Sequence, residues 1–287
     1  MRCIGYLERI LACHCADLSA FVPWHAGGVA AGFVHRDRVP RLLEARDLLD
    51  FVDGRLVLAG DDFPARSASM EAVVRRLVAA GEVRAAQGES YPVFGPCGTE
   101  PLLQIDRAAV PWFGVHASGV HVNGWVRTAG GPDVWIARRA RGKRTFPGHL
   151  DNVVAGGQPI GLTPLQTLVK ECAEEAGIPA ELASRALPVG VLDYAQQEGR
   201  SLKVDSLVCF DLELPPDFLP FPHDGEVEAF SRLKVDQLAA SLFCDAPWKP
   251  NCAMVALHFL LRWGLLDGEA SAAERWRLWQ ALHGALP

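Results

Sequence analysis

Apolar and polar residues alternate along several segments of this chain, and the period of the alternation predicts most of its elements. The segments "GVHVNGWVRT" (119–128) and "PDVWIARRA" (132–140) have the period of two that is typical of strands, with a glycine-rich hairpin turn between them. Two later segments, "ALPVGVLDYAQQ" (186–197) and "SLKVDSLVCFDLEL" (201–214), predict further strands. By contrast, "MEAVVRRLVAAGEV" (70–83) has apolar residues at helical spacing and predicts an amphipathic helix.

A further helix is predicted over residues 164–176. Thr163 is a favourable N-cap, Pro164 suits the first helical position, and Gly177 suits the end of the helix. The apolar positions predict a buried face, which leaves Glu171, Glu174 and Glu175 on the open side. That buried face is predicted to consist of Leu165, Leu168, Val169, Cys172 and Ala176.

The three glutamates repel one another in this arrangement. Glu171 precedes Glu174 and Glu175 by three and four residues, so the side chains are neighbours, and each like-charge pair costs a few tenths of a kcal/mol. They also lie in the last two turns, at the negative end of the helix dipole. A solvated acidic face beside Lys170 is one interpretation, and a cation held by the carboxylates is the other.

Strands that alternate with helices predict an α/β sandwich for residues 115–287. The earlier region also mixes helix with strand, since "GRLVLAG" (54–60) predicts a strand. Residues 91–114 are rich in proline and glycine and predict an extended connection with one short strand. We therefore expect a smaller α/β N-terminal domain at 1–115 and a second domain at 116–287 that closes with two helices.

Composition excludes several classes of function. Hydrophobic residues make up 49% of the chain, which is globular, and a net charge of −6 argues against a nucleic-acid partner. The apolar segment "CAMVALHFLLRWGLL" (252–266) is too short to span a membrane and predicts a buried helix. The first 18 residues contain Glu8 and Arg9 in their apolar part, which predicts an amphipathic helix and not a signal peptide.

The eight cysteines do not form a recognisable zinc motif. Cys13, His14 and Cys15 are close together, but no second cluster completes four ligands. We expect most of the cysteines to be reduced thiols in the core of a cytoplasmic protein.

The segment from Gly156 to Ile178 resembles the Nudix box. In that family a glycine is followed after five residues by Glu, and after seven more by Arg-Glu-apolar-x-Glu-Glu-x-Gly-apolar. Here the closing segment is "KECAEEAGI" (170–178), and every spacing is kept. Two positions differ, because Leu162 stands in place of the first Glu and Lys170 in place of the Arg. The resemblance covers roughly residues 117–265, and the fold it implies is an α/β/α sandwich with a mixed sheet.

The resemblance implies a diphosphohydrolase whose carboxylates hold Mg²⁺ or Mn²⁺ against a diphosphate. Glu171 and Glu175 would be metal ligands, Glu174 a ligand or the base that orients water, and the carbonyl of Ala155 a further ligand. Hard divalent cations prefer such oxygen donors, and a bound cation would relieve the repulsion between the glutamates. Leu162 and Lys170 imply weakened or altered catalysis, so a non-catalytic diphosphate-binding module is an alternative.

A narrower resemblance involves "WIARRARGKRTFPGHLDNVVAGG" (135–157) and "WKPNCAMVALHFLLRWG" (248–264). Both are similar to Nudix proteins related to the extension fused to thiamine pyrophosphokinase in fungi, which also have an α/β region before the Nudix domain. This resemblance implies that thiamine diphosphate, or an oxidised or damaged analogue, is hydrolysed to the monophosphate.

Several other side chains are candidates for the site. Guanidinium and ammonium groups bind phosphate, so the basic loop before the box is predicted either to clamp a diphosphate or to be merely solvated. One further carboxylate is expected from Glu226 or Glu228, while Asp151 and Asn152 are predicted to be turn residues. The predicted substrate-binding residues are Arg139, Lys143, Arg144, Lys249 and Asn251.

Two further hypotheses concern aromatic rings and cysteines. Trp24, Trp112 and Trp248 could stack on a substrate ring, although tryptophan is more often found in a core. An enzyme similar to isopentenyl-diphosphate isomerase, which shares the Nudix scaffold, would need a cysteine near a glutamate, and Cys97 or Cys252 is the candidate. A homodimer covering the apolar N-terminal region is a further expectation.

Overall fold

The computed structural model describes residues 3–84, 88–96, 98–266 and 268–284. The strands, in chain order, are β1 Phe21–Ala26, β2 Val29–His35, β3 Leu49–Val52, β4 Arg55–Leu58, β5 Ser90–Val93, β6 Leu103–Asp106, β7 His116–Thr128, β8 Gly131–Arg139, β9 Leu150–Asn152, β10 Val154–Gly157, β11 Leu187–Glu198, β12 Ser201–Glu213 and β13 Val227–Lys234. The helices are α1 Tyr6–Leu11, α2 Val39–Leu42, α3 Phe63–Ala79, α4 Pro164–Ala176, α5 Ala180–Ala183, α6 Val235–Phe243, α7 Pro250–Arg262 and α8 Ala272–Leu282.

The main sheet lies in the second half of the chain and has the order β11-β12-β7-β8-β13. β12 runs parallel to β7, whereas β11 and β8 pair with their neighbours in antiparallel fashion, so the sheet is mixed. The short strand β10 pairs with the first part of β7, and β9 pairs with β8. The segment that resembles the Nudix box therefore begins on the sheet itself.

Helices cover both faces of this sheet, and β7 has buried side chains on both of them. Val120 and Val122 pack against Leu168 and Cys172 of α4 on one face. Trp125 faces the other way, into a core that contains α6, α7 and α8. The predicted α/β/α sandwich with a mixed sheet is confirmed, and so is the smaller α/β region before it.

That smaller region has a four-stranded sheet of order β2-β1-β4-β3 with α3 packed nearby, and a separate β5–β6 hairpin. Its core contains Trp24, Met70, Leu77 and Tyr91. Residues 91–114 contain β6 and most of β5, so the prediction of one short strand in an extended connection was wrong. α3 begins at Phe63, seven residues before the predicted start, because Asp62 accepts from Ala65 N–H and caps it there.

α1 is only six residues long, and it packs on the C-terminal helices at the opposite end of the chain. Tyr6, Ile10 and Cys13 share a core with residues of α7 and α8. α7 is the predicted buried helix, and all its residues from Asn251 to Leu260 are buried. Within the described part of the chain, no helix combines the length and apolar composition needed to cross a membrane.

α4 begins and ends where the sequence predicts. The Thr163 side chain accepts from Gln166 N–H and the Gln166 side chain accepts from Thr163 N–H, which makes a capping box. Gly177 ends the helix at a φ of 63°. The predicted buried face was wrong at Leu165, which is exposed on the first turn, and it did not include Thr167 and Glu175, which are buried.

Candidate active site

A cavity of about 310 Å³ lies over β7 and β10, between the main sheet and the N-terminal region. The short strand β10 supplies Ala155, Gly156 and Gly157 to the lining of the cavity. Strands on both sides of β7 contribute charged side chains, and the N-terminal region contributes an additional wall. The lining also includes Tyr91, Arg107, His121, Arg139, Lys143, Phe146, Glu198, Lys203, Asp205, Glu226, Lys249 and Asn251.

Glu175 is buried at the junction between α4 and β10. Its Oε2 accepts a hydrogen bond of 2.9 Å from the backbone N–H of Ala155, whose residue lines the cavity. Burial raises the pKa of Glu175 well above its ordinary value, and the nearby carboxylates of Asp151 and Glu171 raise it further. The prediction that this glutamate is on the open side of the helix was wrong, because β10 covers it.

Glu171 lies one turn before Glu175, against the same loop. An added Cβ at Gly156 would overlap the Glu171 carboxylate, so the loop can approach α4 this closely only where the residue is glycine. Burial raises the pKa of Glu171, although Lys170 opposes the shift. Glycine in the box is thus explained by contact with a carboxylate.

Lys170 partly neutralises the acidic face. Its Nζ lies 3.1 Å from Glu171 Oε1 and 2.7 Å from Glu174 Oε2. Burial alone would lower the pKa of Lys170, but these two carboxylates raise it overall. Glu174 is the most exposed of the three glutamates, whereas Glu175 is buried and its carboxylate accepts from the Ala155 N–H.

The residues around α4 fit a divalent cation. A buried carboxylate whose pKa is raised is stabilised in its charged form by a nearby cation, and Glu175 and Glu171 are both of this kind. Mg²⁺ and Mn²⁺ prefer oxygen donors, which these side chains and the backbone of residues 155–157 supply. The donor set is therefore appropriate for the cation that the sequence predicts.

A second polar group surrounds Asp151 in the middle of β9. Asp151 Oδ2 lies 2.8 Å from Arg139 Nη1 and 3.5 Å from Lys249 Nζ, and its Oδ1 accepts from the Cys252 thiol at 2.6 Å. Burial would raise the pKa of Asp151, but Lys249 and Arg139 lower it to about 2. The prediction of turn residues was wrong here, because Asp151 and Asn152 are buried residues of β9.

His121, Asp151 and Cys252 have ligand-type atoms within 4.8 Å of one another and are all buried. Among them, the Nδ1 of His121 lies 2.8 Å from Asn152 Oδ1, and burial and Lys249 lower the pKa of His121 to about 4. Arg139 and Lys249 already place two positive charges beside Asp151. These two charges oppose the binding of a divalent cation by this group.

The predicted substrate-binding residues fall into two groups. Lys143, Lys249, Asn251 and Arg139 all line the cavity. Arg139 is held by Asp151 and also donates to the carbonyl of Thr145, so it fixes the loop that follows β8. Arg144 is exposed and lies outside the described set of lining residues.

Of the two candidate loop acids, Glu226 lines the cavity. Its Oε1 lies 2.6 Å from Lys143 Nζ. Burial opposes its ionisation, but Lys143, Arg107 and Arg139 together lower the pKa of Glu226. Glu228 pairs instead with Arg141 at 3.5 Å, which leaves Glu226 as the better placed acid.

The remaining candidates have other surroundings. Trp24, Trp112 and Trp248 are buried in the hydrophobic cores. The thiol of Cys252 donates to Asp151, whereas the isomerase hypothesis needs a glutamate beside the cysteine. Burial raises the pKa of this thiol well above its ordinary value. Cys97 lies outside the described residues.

Tyr91, Arg107 and Phe146 line the cavity and were not among the residues selected from the sequence. Phe146 has a left-handed backbone, with a φ of 51°, and no motif predicts that conformation. Tyr91 and Arg107 precede the domain to which the motif belongs, so the box gives no signal for them.

Comparison with known proteins divides the chain near residue 117. Residues 117–253 match the NUDIX domain, and residues 5–117 match a domain of unknown function, DUF4743. The chain is 36% identical over 283 residues to "Nudix hydrolase 20, chloroplastic" of Arabidopsis thaliana, covering 93% of this chain and 75% of that protein. It is also 36% identical over 272 residues to "Nudix hydrolase 24, chloroplastic" of the same plant, covering 93% and 74%.

Among solved structures, the chain is similar to that of DR0079 from Deinococcus radiodurans. The two share 22% sequence identity, with a TM-score of 0.46, over 59% of this chain and 98% of that one.

Proposed function

This chain belongs to the Nudix hydrolase family, and from that premise we propose that it hydrolyses thiamine diphosphate, or an oxidised or damaged analogue, to the monophosphate. The observation that carries the proposal is the buried Glu175 carboxylate, bound to Ala155 N–H directly behind a cavity lined by Lys143 and Lys249. This proximity of the Glu175 carboxylate to the ammonium groups of Lys143 and Lys249 supports a site that takes both a divalent cation and a diphosphate.

Four groups would hold Mg²⁺ or Mn²⁺: the carboxylates of Glu171, Glu174 and Glu175 and the backbone carbonyl of Ala155. When bound, such a cation polarises a phosphoryl oxygen and lowers the pKa of water. Glu174, the most exposed of the three, is the proposed base that orients the attacking water. Glu226 is a second candidate for that role, because its pKa is lowered and it stays ionised at neutral pH.

Lys143, Lys249 and Asn251 are proposed to bind the diphosphate. Lys143 is only partly exposed and is fixed by Glu226. Lys249 is fixed by Asp151 at 3.5 Å, and Arg139 holds the Thr145 carbonyl in the same loop as Lys143. These contacts restrict the cations before a ligand arrives, which lowers the entropy lost on binding.

The size and charge of the cavity support a compact substrate with a cationic ring. A volume of about 310 Å³ is at the small end of the range for ligand sites, which disfavours long polyphosphate ligands. Glu198 and Asp205 line the cavity on the β11–β12 side of β7, away from Lys143 and Glu226 on the β8–β13 side. Glu198 and Asp205 offer carboxylates on that side to the positively charged thiazolium ring of thiamine, and Lys203, whose Nζ lies 3.1 Å from Asp205 Oδ2, offsets part of their charge.

A non-catalytic diphosphate-binding module is the second candidate, and the contacts of Lys170 favour it. Lys170 is paired with both Glu171 and Glu174, and Leu162 offers no carboxylate to the loop. In that case the protein would bind Mg²⁺ and diphosphates without releasing product.

One assay separates these candidates. The folded protein is incubated with Mg²⁺ and a panel of thiamine, nucleoside and sugar diphosphates, and release of monophosphate is measured. We expect release from thiamine diphosphate or its oxidised analogue, abolished by a chelator. Binding of Mg²⁺ without turnover of any panel member would refute the hydrolase and favour the binding module.

A further inference from the structure

The N-terminal region forms one wall of the cavity. The β5–β6 hairpin and the turn after it contribute Tyr91, Arg107, Val110 and Pro111 to the lining. None of these residues belongs to the part of the chain that matches the NUDIX domain, residues 117–253. The cavity is therefore composite, and the N-terminal wall is in a position to contact whatever binds there.

The wall is fixed to the main domain by backbone contacts on two sides. Ile160 N–H donates to the Ser90 carbonyl at 2.9 Å, next to the loop of β10. Leu202 N–H donates to the Pro111 carbonyl at 2.9 Å, at the start of β12. An added Cβ at Gly157 would overlap the Tyr91 hydroxyl, so the tyrosine lies directly on the loop beside Ala155 and Gly156.

Arg107 is the cation that this wall presents. Its Nη1 lies 2.6 Å from Glu89 Oε2, and its guanidinium carbon lies 5.9 Å from the centre of the Tyr91 ring. Its backbone N–H also donates to the Glu89 carbonyl at 3.0 Å. The ion pair occupies one edge of the guanidinium, and the three contacts together define where the group lies.

Arg107 is the most accessible cation among those that line the cavity and form ion pairs in the described chain. Its side chain is 58% exposed, against 39% for Lys203 and 24% for Lys143. Lys249 and Arg139 are less exposed still, at 14% and 11%. A ligand anion can therefore reach Arg107 without first breaking a buried ion pair.

We propose that the N-terminal domain completes the substrate site and that Arg107 binds a phosphate oxygen of the ligand, together with Lys143 from the main sheet. The planar guanidinium group can bind two phosphate oxygens in parallel, which a lysine cannot do. Arg107 also contributes to the low pKa of Glu226, which is consistent with its charge acting across the cavity on the Lys143–Glu226 pair. This inference rests on the proposed function, since it takes the ligand to be a diphosphate.

Glu89 distinguishes a binding role from a structural one. If Arg107 serves only to hold Glu89 and the hairpin, removing either partner breaks the same ion pair and has the same effect. If Arg107 binds phosphate, Glu89 competes with the ligand for the guanidinium, and its removal leaves binding intact or strengthens it.

The test is calorimetric binding of inorganic pyrophosphate to the full chain in Mg²⁺, with melting temperatures checked for each variant. Arg107→Gln should weaken binding about ten- to a hundredfold, the loss expected for a charge-assisted hydrogen-bonded pair, and Arg107→Lys should lose less. Glu89→Gln should bind at least as tightly as the wild type. Arg75→Gln is the matched control, because Arg75 lies on α3 in the same region, pairs with Glu71 and is outside the described cavity lining.

Three results would overturn the inference: Arg107→Gln and Arg107→Lys binding within twofold of the wild type, Glu89→Gln losing as much as Arg107→Gln, or a wild type that does not bind millimolar pyrophosphate. The measurement needs no turnover, so it fails separately from the proposed function. Pyrophosphate binding that depends on Arg107, without hydrolysis of any diphosphate, would support this inference and refute the hydrolase. Unchanged pyrophosphate binding by Arg107→Gln and Arg107→Lys, together with hydrolysis of a diphosphate, would support the hydrolase and refute this inference.

Discussion

Glu175 is buried, and without a bound cation the protein has few groups that stabilise the negative charge of its carboxylate. Its carboxylate has one backbone donor, Ala155 N–H, and carboxylate neighbours that raise its pKa. The folded protein is less stable when such a buried carboxylate is ionised than when it is protonated. At the scale of single residues, this conflict is the clearest sign of a cation site.

The conflict predicts how stability depends on pH when divalent cations are removed by a chelator. The folded-state pKa of Glu175 is raised above 4.5, so the folded protein holds a proton that the unfolded chain releases above that pH. The contribution of Glu175 to the free energy of unfolding therefore falls as pH rises from about 4.5 toward the folded pKa.

Glu175→Gln removes this titration while keeping an oxygen that can accept from Ala155 N–H. Urea unfolding in chelator should show the variant gaining stability relative to the wild type between pH 5 and pH 7.5. A difference between the two proteins that is the same at both pH values would contradict the account.

Among the elements, α4 carries the three glutamates, and a capping box stabilises its first turn. The capping box of Thr163 and Gln166 satisfies backbone N–H groups at the first turn. Thr163→Ala should lower the free energy of unfolding by about 1 kcal/mol, measured in urea. Ser271→Ala is a matched control, since Ser271 makes the same box with Glu274 in α8 and should lose a similar amount. No measurable loss in Thr163→Ala would show that the box does not stabilise α4.

The parts of this fold that could be predicted are those with a local cause. The caps of α4 depend on side chains within three residues, and the strands of the main sheet on alternation along one segment, so both were predicted. The burial of Glu175 depends on where β10 lies against the helix, which helical period alone does not specify.

Sequence motifs predicted only the part of the candidate site that lies within the region resembling the Nudix family. The box identifies α4 and the β10 loop, and the cavity includes the predicted Lys143, Lys249, Asn251 and Glu226. It could not identify Tyr91 or Arg107, because their proximity to the loop results from packing between distant segments. The β5–β6 hairpin was missed for a related reason, since Pro92 and the flanking glycines weaken its strand pattern.

At the scale of the whole molecule, a buried arginine joins α1 to the end of α6 and the segment that follows it. Arg9 of α1 donates to the carbonyls of Leu242 at 3.0 Å and Ala246 at 2.9 Å, and also to that of Cys244. These carbonyls follow or end α6, so α1 stabilises the region that leads into α7.

The assignment of residues 1–115 to one domain, a homodimer and a cytoplasmic location all stay predictions.

Arg9→Met should therefore destabilise the C-terminal half of the protein. The methionine keeps an apolar stem against the core but leaves the carbonyl groups without their donor, at a cost of about 2–3 kcal/mol. Urea unfolding followed by the fluorescence of the tryptophans would measure the loss. Arg75→Gln, whose side chain is exposed, should be close to the wild type, and equal stability of all three proteins would contradict the role assigned to Arg9.

The central claim is that α4 holds a divalent cation that the hydrolysis requires, and the most direct measurement is the rate of thiamine monophosphate release by wild type and Glu175→Gln at saturating Mg²⁺. The account predicts a rate on the order of a thousandfold lower in the variant, because one preorganised charge is lost from the transition state. It also predicts that Mg²⁺ raises the melting temperature of the wild type. Near-normal hydrolysis by a folded Glu175→Gln protein would contradict it.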